Sequence, residues 1–152
     1  MFERVTRAAE DCGFEYMLIP VGHQCWDAWM TGALMIGKTK SIKMLVAARP
    51  TYINPVLLAK MISTCDQLSG GRISINLIAG QSEAENIAEG IKLEKDQRYE
   101  CMDEEVEILK KLWTSDGKPI DHAGKYYTLK GAELVPGTGE MPAAPVFIDG
   151  RK

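Results

Sequence analysis

The sequence has 152 residues, 45% of them hydrophobic and 26% charged, with a net charge of -3 from 18 basic and 21 acidic side chains. This is the composition of a globular domain with a core of its own, and it excludes a disordered or fibrous chain. It carries no basic excess to attract nucleic acid, and no apolar run nears the ~20 residues of a membrane span.

The opening stretch, MFERVTRAAEDCGFEYMLIP, is punctuated by charges and has no apolar leader segment, so a cytoplasmic protein is expected. Its four cysteines, Cys12, Cys25, Cys65 and Cys101, include no CxxC pair, and His23 and His122 are the only histidines. Reduced thiols and no metal site are the expectation.

In chain order, apolar residues at helical spacing predict a helix over Phe2 to Cys12, stopped by Gly13. Tyr16 to Pro20 is a short apolar run suited to a buried strand. Trp26 to Gly37 reads as a helix and Lys43 to Ala48 as a second strand closed by Arg49-Pro50. Asn54-Pro55 fits a helix start, with Asn as the cap and Pro in the first turn, and the helix runs to about Leu68 before Gly70-Gly71. Ile73 to Ala79 is a third strand, followed by an acidic polar stretch from Gln81 to Asp96. A long helix spans Arg98 to Trp113, a small hairpin falls within about 118–131, Pro136 to Pro145 is a connector, and Pro145 to Asp149 is a fourth strand.

Helices that alternate with short, fully apolar strands predict a parallel α/β sheet covered on both faces. A doubly wound sheet and a piece of a (β/α)8 barrel both satisfy the pattern. In either, sites lie beyond the carboxyl ends of the strands. The search narrows to Val21–Cys25, Arg49–Tyr52, Gly80–Glu85 and Gly150–Lys152.

Asn76 stands out because an amide inside an apolar strand costs free energy unless it finds hydrogen-bond partners. It suits the edge of a heterocycle; the alternative is an amide that satisfies neighbouring backbone. Phosphate loops of the GxGxxG and GxxxxGK[ST] types are absent, and Ser69-Gly-Gly-Arg72 reads as a helix stop. Cys25 sits between a strand end and a helix start, where a thiol can be activated, although free cysteines commonly pack cores. Glu83, Glu85 and Glu89 read as a solvated face at a helix start. Trp26, Trp29 and Trp113 read as core, and Tyr126-Tyr127 as hairpin packing.

Together these motifs resemble the bacterial luciferase-like flavin monooxygenases, and within them the alkanesulfonate monooxygenase group. The resemblance rests on ARPTYINPVLLAKMISTCDQLSGGRISINLIAG (Ala48–Gly80), DQRYECMDEEVEILKKLW (Asp96–Trp113), GFEYMLIPVGHQCWDAW (Gly13–Trp29) and the hairpin IDHAGKYYTLKG. It implies a (β/α)8 TIM barrel, present as about its second to fifth strands, and hence the N-terminal part of one barrel domain with a hairpin insertion. It implies oxygenation of a small organic substrate, an alkanesulfonate or a related organosulfur compound, with reduced FMN and O2. It implies flavin contacts at Val21, Gly22, Asn76, Glu85, Arg98 and Tyr99, and an active-site role for Cys25. A flavin reductase partner and a homo-oligomer are further implications.

The chain departs from the family pattern in two places. Ala79 stands where the family has a threonine, and Arg151-Lys152 follow Gly150 where the family has serines. The alternatives are an F420-dependent oxidoreductase of the same fold and a non-catalytic truncated remnant.

Overall fold

The computed structural model describes residues 1–80, 82–135 and 146–148. Gln81, the Pro136–Pro145 connector, Asp149, Gly150, Arg151 and Lys152 lie outside the described residues. The elements run α1 (Phe2–Asp11), β1 (Tyr16–Ile19), α2 (Ala28–Ile36), β2 (Lys43–Ala48), α3 (Pro55–Ser69), β3 (Ile73–Leu77), α4 (Glu83–Ala88), α5 (Lys95–Thr114), β4 (Ile120–Ala123), β5 (Thr128–Ala132) and β6 (Val146–Ile148).

Local chemistry sets these boundaries. Asp27 caps α2, its carboxylate accepting from the Met30 amide at 2.7 Å, so the helix opens at Ala28. Trp26 therefore falls outside it. Asn54 caps α3 by accepting from the Val56 amide, Pro55 occupies the first turn, and Gly70 closes the helix at φ 70°. At α5, Glu94 and Gln97 form a reciprocal capping box. That box extends the helix three residues upstream of the expected Arg98 start. Arg72 fastens the turn after α3 to the end of α2, donating to Ile36 O at 2.9 Å, Thr39 Oγ1 at 3.1 Å and Ser69 O at 3.0 Å.

β1, β2, β3 and β6 form one parallel sheet in that order. Helices α2 and α3 cross over between successive strands, while α4, α5 and the β4–β5 hairpin intervene before β6. The outer face of the sheet carries Met44, Val46, Ile73, Ile75 and Leu77. All are buried in one core with Leu58, Ile62, Ile108, Leu109 and Leu112 from the helices. Such strands bury both faces only when a second layer lies on the other side.

The inner face is more open: Leu18 is 51% exposed and Phe147 45%. Tyr16 of β1 and Phe147 of β6 lie on opposite edge strands, yet their ring centroids are 6.1 Å apart, edge to face. Three strand spacings on a flat sheet would separate the edges by about 14 Å. The sheet is therefore strongly curved with its inner face concave, as in a barrel wall rather than an open doubly wound sheet. Among the described residues the barrel is not closed, and β1 and β6 are its edges.

Candidate functional site at the carboxyl ends of the strands

Three loops converge beyond β1, β2 and β3. After β1 the chain makes a tight turn in which the Cys25 amide donates to Gly22 O at 2.9 Å. After β2 comes the turn Arg49-Pro50-Thr51-Tyr52, closed by the Tyr52 amide on Arg49 O at 3.5 Å. Thr51 sits at φ 72°. This is the geometry of a type II turn, which asks for Gly or Asn at that position. A β-branched residue there stores on the order of 1–3 kcal/mol of strain. After β3, Gly80 at φ 95° turns the chain into α4.

Arg49 is the centre of the cluster and is 7% exposed. A buried guanidinium is tolerated only when paired. Its Nη2 donates to Glu85 Oε2 at 2.7 Å, and its Nη1 to Glu89 Oε2 at 3.1 Å and to the Tyr52 hydroxyl at 2.9 Å. The His23 amide donates to the other Glu85 oxygen, and His23 Nδ1 lies 4.0 Å from Glu89 Oε1. The His23 amide, followed by the Arg49 guanidinium, holds the Glu85 carboxyl below its ordinary value. Glu85 and Glu89 therefore both meet Arg49 across the strand ends. The expectation of a solvated acidic face holds for Glu83, whose side chain is 61% exposed, and fails for Glu85, at 17%: the buried cation draws Glu85 inward, while Glu89 reaches Arg49 from an exposed position.

Gly22 closes the cluster. A Cβ at Gly22 would lie 3.6 Å from Cys25 Sγ and 3.6 Å from Glu85 Oε1, so the missing side chain leaves one small space between thiol and carboxylate. Val21, Gly22, Cys25, Trp29, Arg49 and Tyr52 line a cavity of about 260 Å³. A second, of about 290 Å³, opens on the concave side between Leu18, Val21, Gly22, Ala47, Arg49 and Glu85. Asn76 pairs in register with Ala47 on the same inward face. It is half-buried, and among the described residues its amide has no hydrogen-bond partner. The alternative of an amide satisfied by neighbouring backbone is not what the described residues show. Two buried donors in the cavity walls are also without partners among the described residues: Arg49 Nε beside both cavities and Trp29 Nε1 in the wall of the first. Unpaired donors around a recess fit a planar ligand rich in acceptors.

The residues singled out from sequence separate into two groups. Val21, Gly22, Cys25 and Glu85 come together, with Asn76 on the adjoining wall. Arg98 is 4% exposed and spans the base of the third loop, its Nε on Ala79 O at 2.8 Å and its Nη1 on Leu93 O at 2.7 Å and Glu83 Oε2 at 3.1 Å. Its visible role is to hold the loop between β3 and α5. Tyr99 is half-buried against the core. Sequence reasoning leaves Arg49, Tyr52 and Glu89 out of the set of site residues. The usable signal is a charge directly after an apolar strand, which needs partners of opposite sign. Trp26 corrects another expectation. It is 73% exposed and leans on Phe2 at 5.1 Å between centroids, rather than packing the core with Trp29 and Trp113.

Known proteins share this arrangement of strands and loops. The family model described as luciferase-like monooxygenase matches residues 2–152. Among solved structures, EDTA monooxygenase from Chelativorans sp. BNC1 superposes with a TM-score of 0.84 at 22% identity, over 95% of this chain and 42% of that one. The coenzyme F420-dependent tetrahydromethanopterin reductase from Methanopyrus kandleri gives 0.81 at 22% identity, over 97% and 45%. The oxygenating constituent of 3,6-diketocamphane monooxygenase from Pseudomonas putida, in complex with FMN, gives 0.75 at 20% identity, over 97% and 44%. At these identities the likeness is one of fold, and the chain spans less than half the length of those structures. Among the described residues, no helix is long and apolar enough to cross a membrane.

Proposed function

The chain belongs to the luciferase-like monooxygenase family, and from that premise we propose that it forms the N-terminal flavin-binding part of an FMN-dependent monooxygenase. In this reading it is one part of a single barrel domain in a cytoplasmic enzyme. The observation that carries the proposal is the half-buried Asn76 amide, without a partner among the described residues, beside a recess rimmed by Val21, Gly22 and Arg49.

The residues present fit a flavin. Asn76 offers a donor pair and an acceptor to the edge of the ring, Gly22 leaves room for its close approach, and Arg49 Nε supplies a buried donor. When bound, reduced FMN supplies the electrons that activate O2 for insertion into the substrate. Cys25 presents an exposed thiol at the mouth, and the Arg49–Glu85–Glu89 cluster keeps two carboxylates fixed. Arg98 and Tyr99 act in this reading on the phosphate and ribityl side, with Arg98 holding the loop that carries Glu85. The substrate class we propose is an alkanesulfonate or related small organosulfur compound, with a separate flavin reductase delivering reduced FMN to a homo-oligomer.

F420 is the second reading of the same site, favoured by the fold shared with an F420-dependent reductase. Anaerobic titration of the chain with reduced FMN and reduced F420, followed by fluorescence, tests the proposal. Micromolar binding of reduced FMN that Asn76→Ala weakens supports it. Preferential binding of F420 moves the assignment to the second reading, and binding of neither overturns both.

A further inference from the structure

Glu105 is a buried ionisable group that the site has not used. It lies on α5, fully buried, and one oxygen accepts from the Tyr127 hydroxyl at 2.5 Å and the Thr51 amide at 2.8 Å, with a longer contact from the Cys101 thiol at 4.0 Å within the same helix. Tyr127 comes from the β4–β5 hairpin region and Thr51 from the strained turn after β2, so one carboxyl ties three distant segments together. A carboxyl is not placed in a core for stability: its desolvation must be offset by the groups it holds. Here burial pushes the Glu105 carboxyl above its ordinary value, and its second oxygen has no partner among the described residues. What it secures is an uncommon backbone state, a threonine at positive φ within the turn whose Arg49 and Tyr52 side chains meet in the site.

We propose that Glu105 is a positioning residue: braced by Tyr127, it holds the Arg49–Tyr52 turn in the strained form that presents Arg49 and Tyr52 to the flavin recess. Strain of this kind persists only where the surroundings over-determine it, and it gathers at ligand clamps. The hairpin therefore reports to the site through the hydrogen bonds that link Tyr127 and Thr51 to Glu105. The part concerning ligand binding rests on the flavin reading above; the part concerning the turn does not.

The test separates the two. Hydrogen exchange of the Thr51 amide needs no ligand. It is expected to be protected in the wild type and in Glu105→Gln, which keeps an acceptor oxygen. It is expected to speed up about tenfold or more in Glu105→Leu while the Ile75 amide in the sheet stays protected. In anaerobic titrations with reduced FMN, Glu105→Leu is expected to weaken binding about tenfold and Glu105→Gln less than about threefold. Adding Thr51→Gly to Glu105→Leu is expected to restore affinity, because glycine adopts positive φ without support, while the lowered Tm of Glu105→Leu remains. Should Glu105→Leu fail to fold, Tyr127→Phe serves, with Thr51 exchange faster by about threefold. Unchanged Thr51 exchange in these variants overturns the proposal, as does a Glu105→Leu defect that Thr51→Gly fails to repair. A wild type that binds no flavin overturns the flavin reading alone, and Thr51 exchange then decides the role of Glu105.

Discussion

Gly32 lies mid-helix in α2, where glycine is ordinarily a cost, and replacing it with alanine tests how closely α2 rides on the sheet. In an unconstrained helix Gly32→Ala would stabilise by about 1 kcal/mol. Here the added Cβ would lie 2.9 Å from Val46 Cγ2, against about 3.5–4.0 Å for an ordinary carbon contact. Val46 is fully buried in β2 and its β-branched side chain has little rotamer freedom, so the contact is not relieved cheaply. Overpacking of this kind costs about 1–3 kcal/mol, and set against the helical gain the net expectation is a loss of up to about 2 kcal/mol. Val46→Ala alone removes two buried methyl groups, worth about 1.6 kcal/mol in transfer and about 2–3 kcal/mol once the cavity is included. In the double variant the methyl group added on α2 fills part of the vacated space. Urea unfolding should therefore show the pair less destabilised than the sum by about 1–2 kcal/mol, with an unchanged m-value. The site should respond as well, because α2 carries Trp29 into the cavity wall. A stabilising Gly32→Ala, or strictly additive variants, would refute the close approach.

Other expectations follow from single contacts. Glu10 accepts amide hydrogens from Lys40, Ser41 and Ile42, and chiefly the Ser41 and Ile42 bonds bring its pKa to about 2 from 4.5. A depressed carboxyl contributes fully above its unfolded value and is lost as pH falls toward its folded one. Glu10→Gln should therefore lower stability at neutral pH and flatten the acid limb between about pH 4.5 and 2, as read by thermal melts across that range. Arg72→Met leaves the Ile36 carbonyl without its charged donor, and chemical denaturation should show a loss of about 2–3 kcal/mol. Thiol titration should find Cys12 and Cys25 reactive in the native state. Cys101, fully buried and pushed up to about 11 chiefly by burial, should react only on unfolding.

Much of the architecture is written in local pattern. Short apolar strands separated by helices point to the parallel order, and Asn54-Pro55 and Gly70 mark the ends of α3 through chemistry that needs no distant partner. The same locality explains where the structure departs from expectation. The apolar run continues through Trp26 and so predicts it within a helix, yet the Asp27 cap begins that helix beyond it. Asn76 is legible in the sequence because a polar residue in a buried strand needs a reason wherever it occurs.

Element order, the family motifs and the positions of the loops that carry chemistry can all be read from the chain alone. They depend on hydrophobic period, capping and turn residues, which act within a few positions of one another. Which charges meet is a matter of the folded molecule. Arg49 finds Glu85 and Glu89 across 36 and 40 residues, and Glu105 reaches Thr51 across 54. Those pairings follow from strand register and sheet curvature, which bring separate loops to one end of the sheet. A buried ion then takes whichever partner lies within hydrogen-bond reach, and no local pattern names that partner in advance.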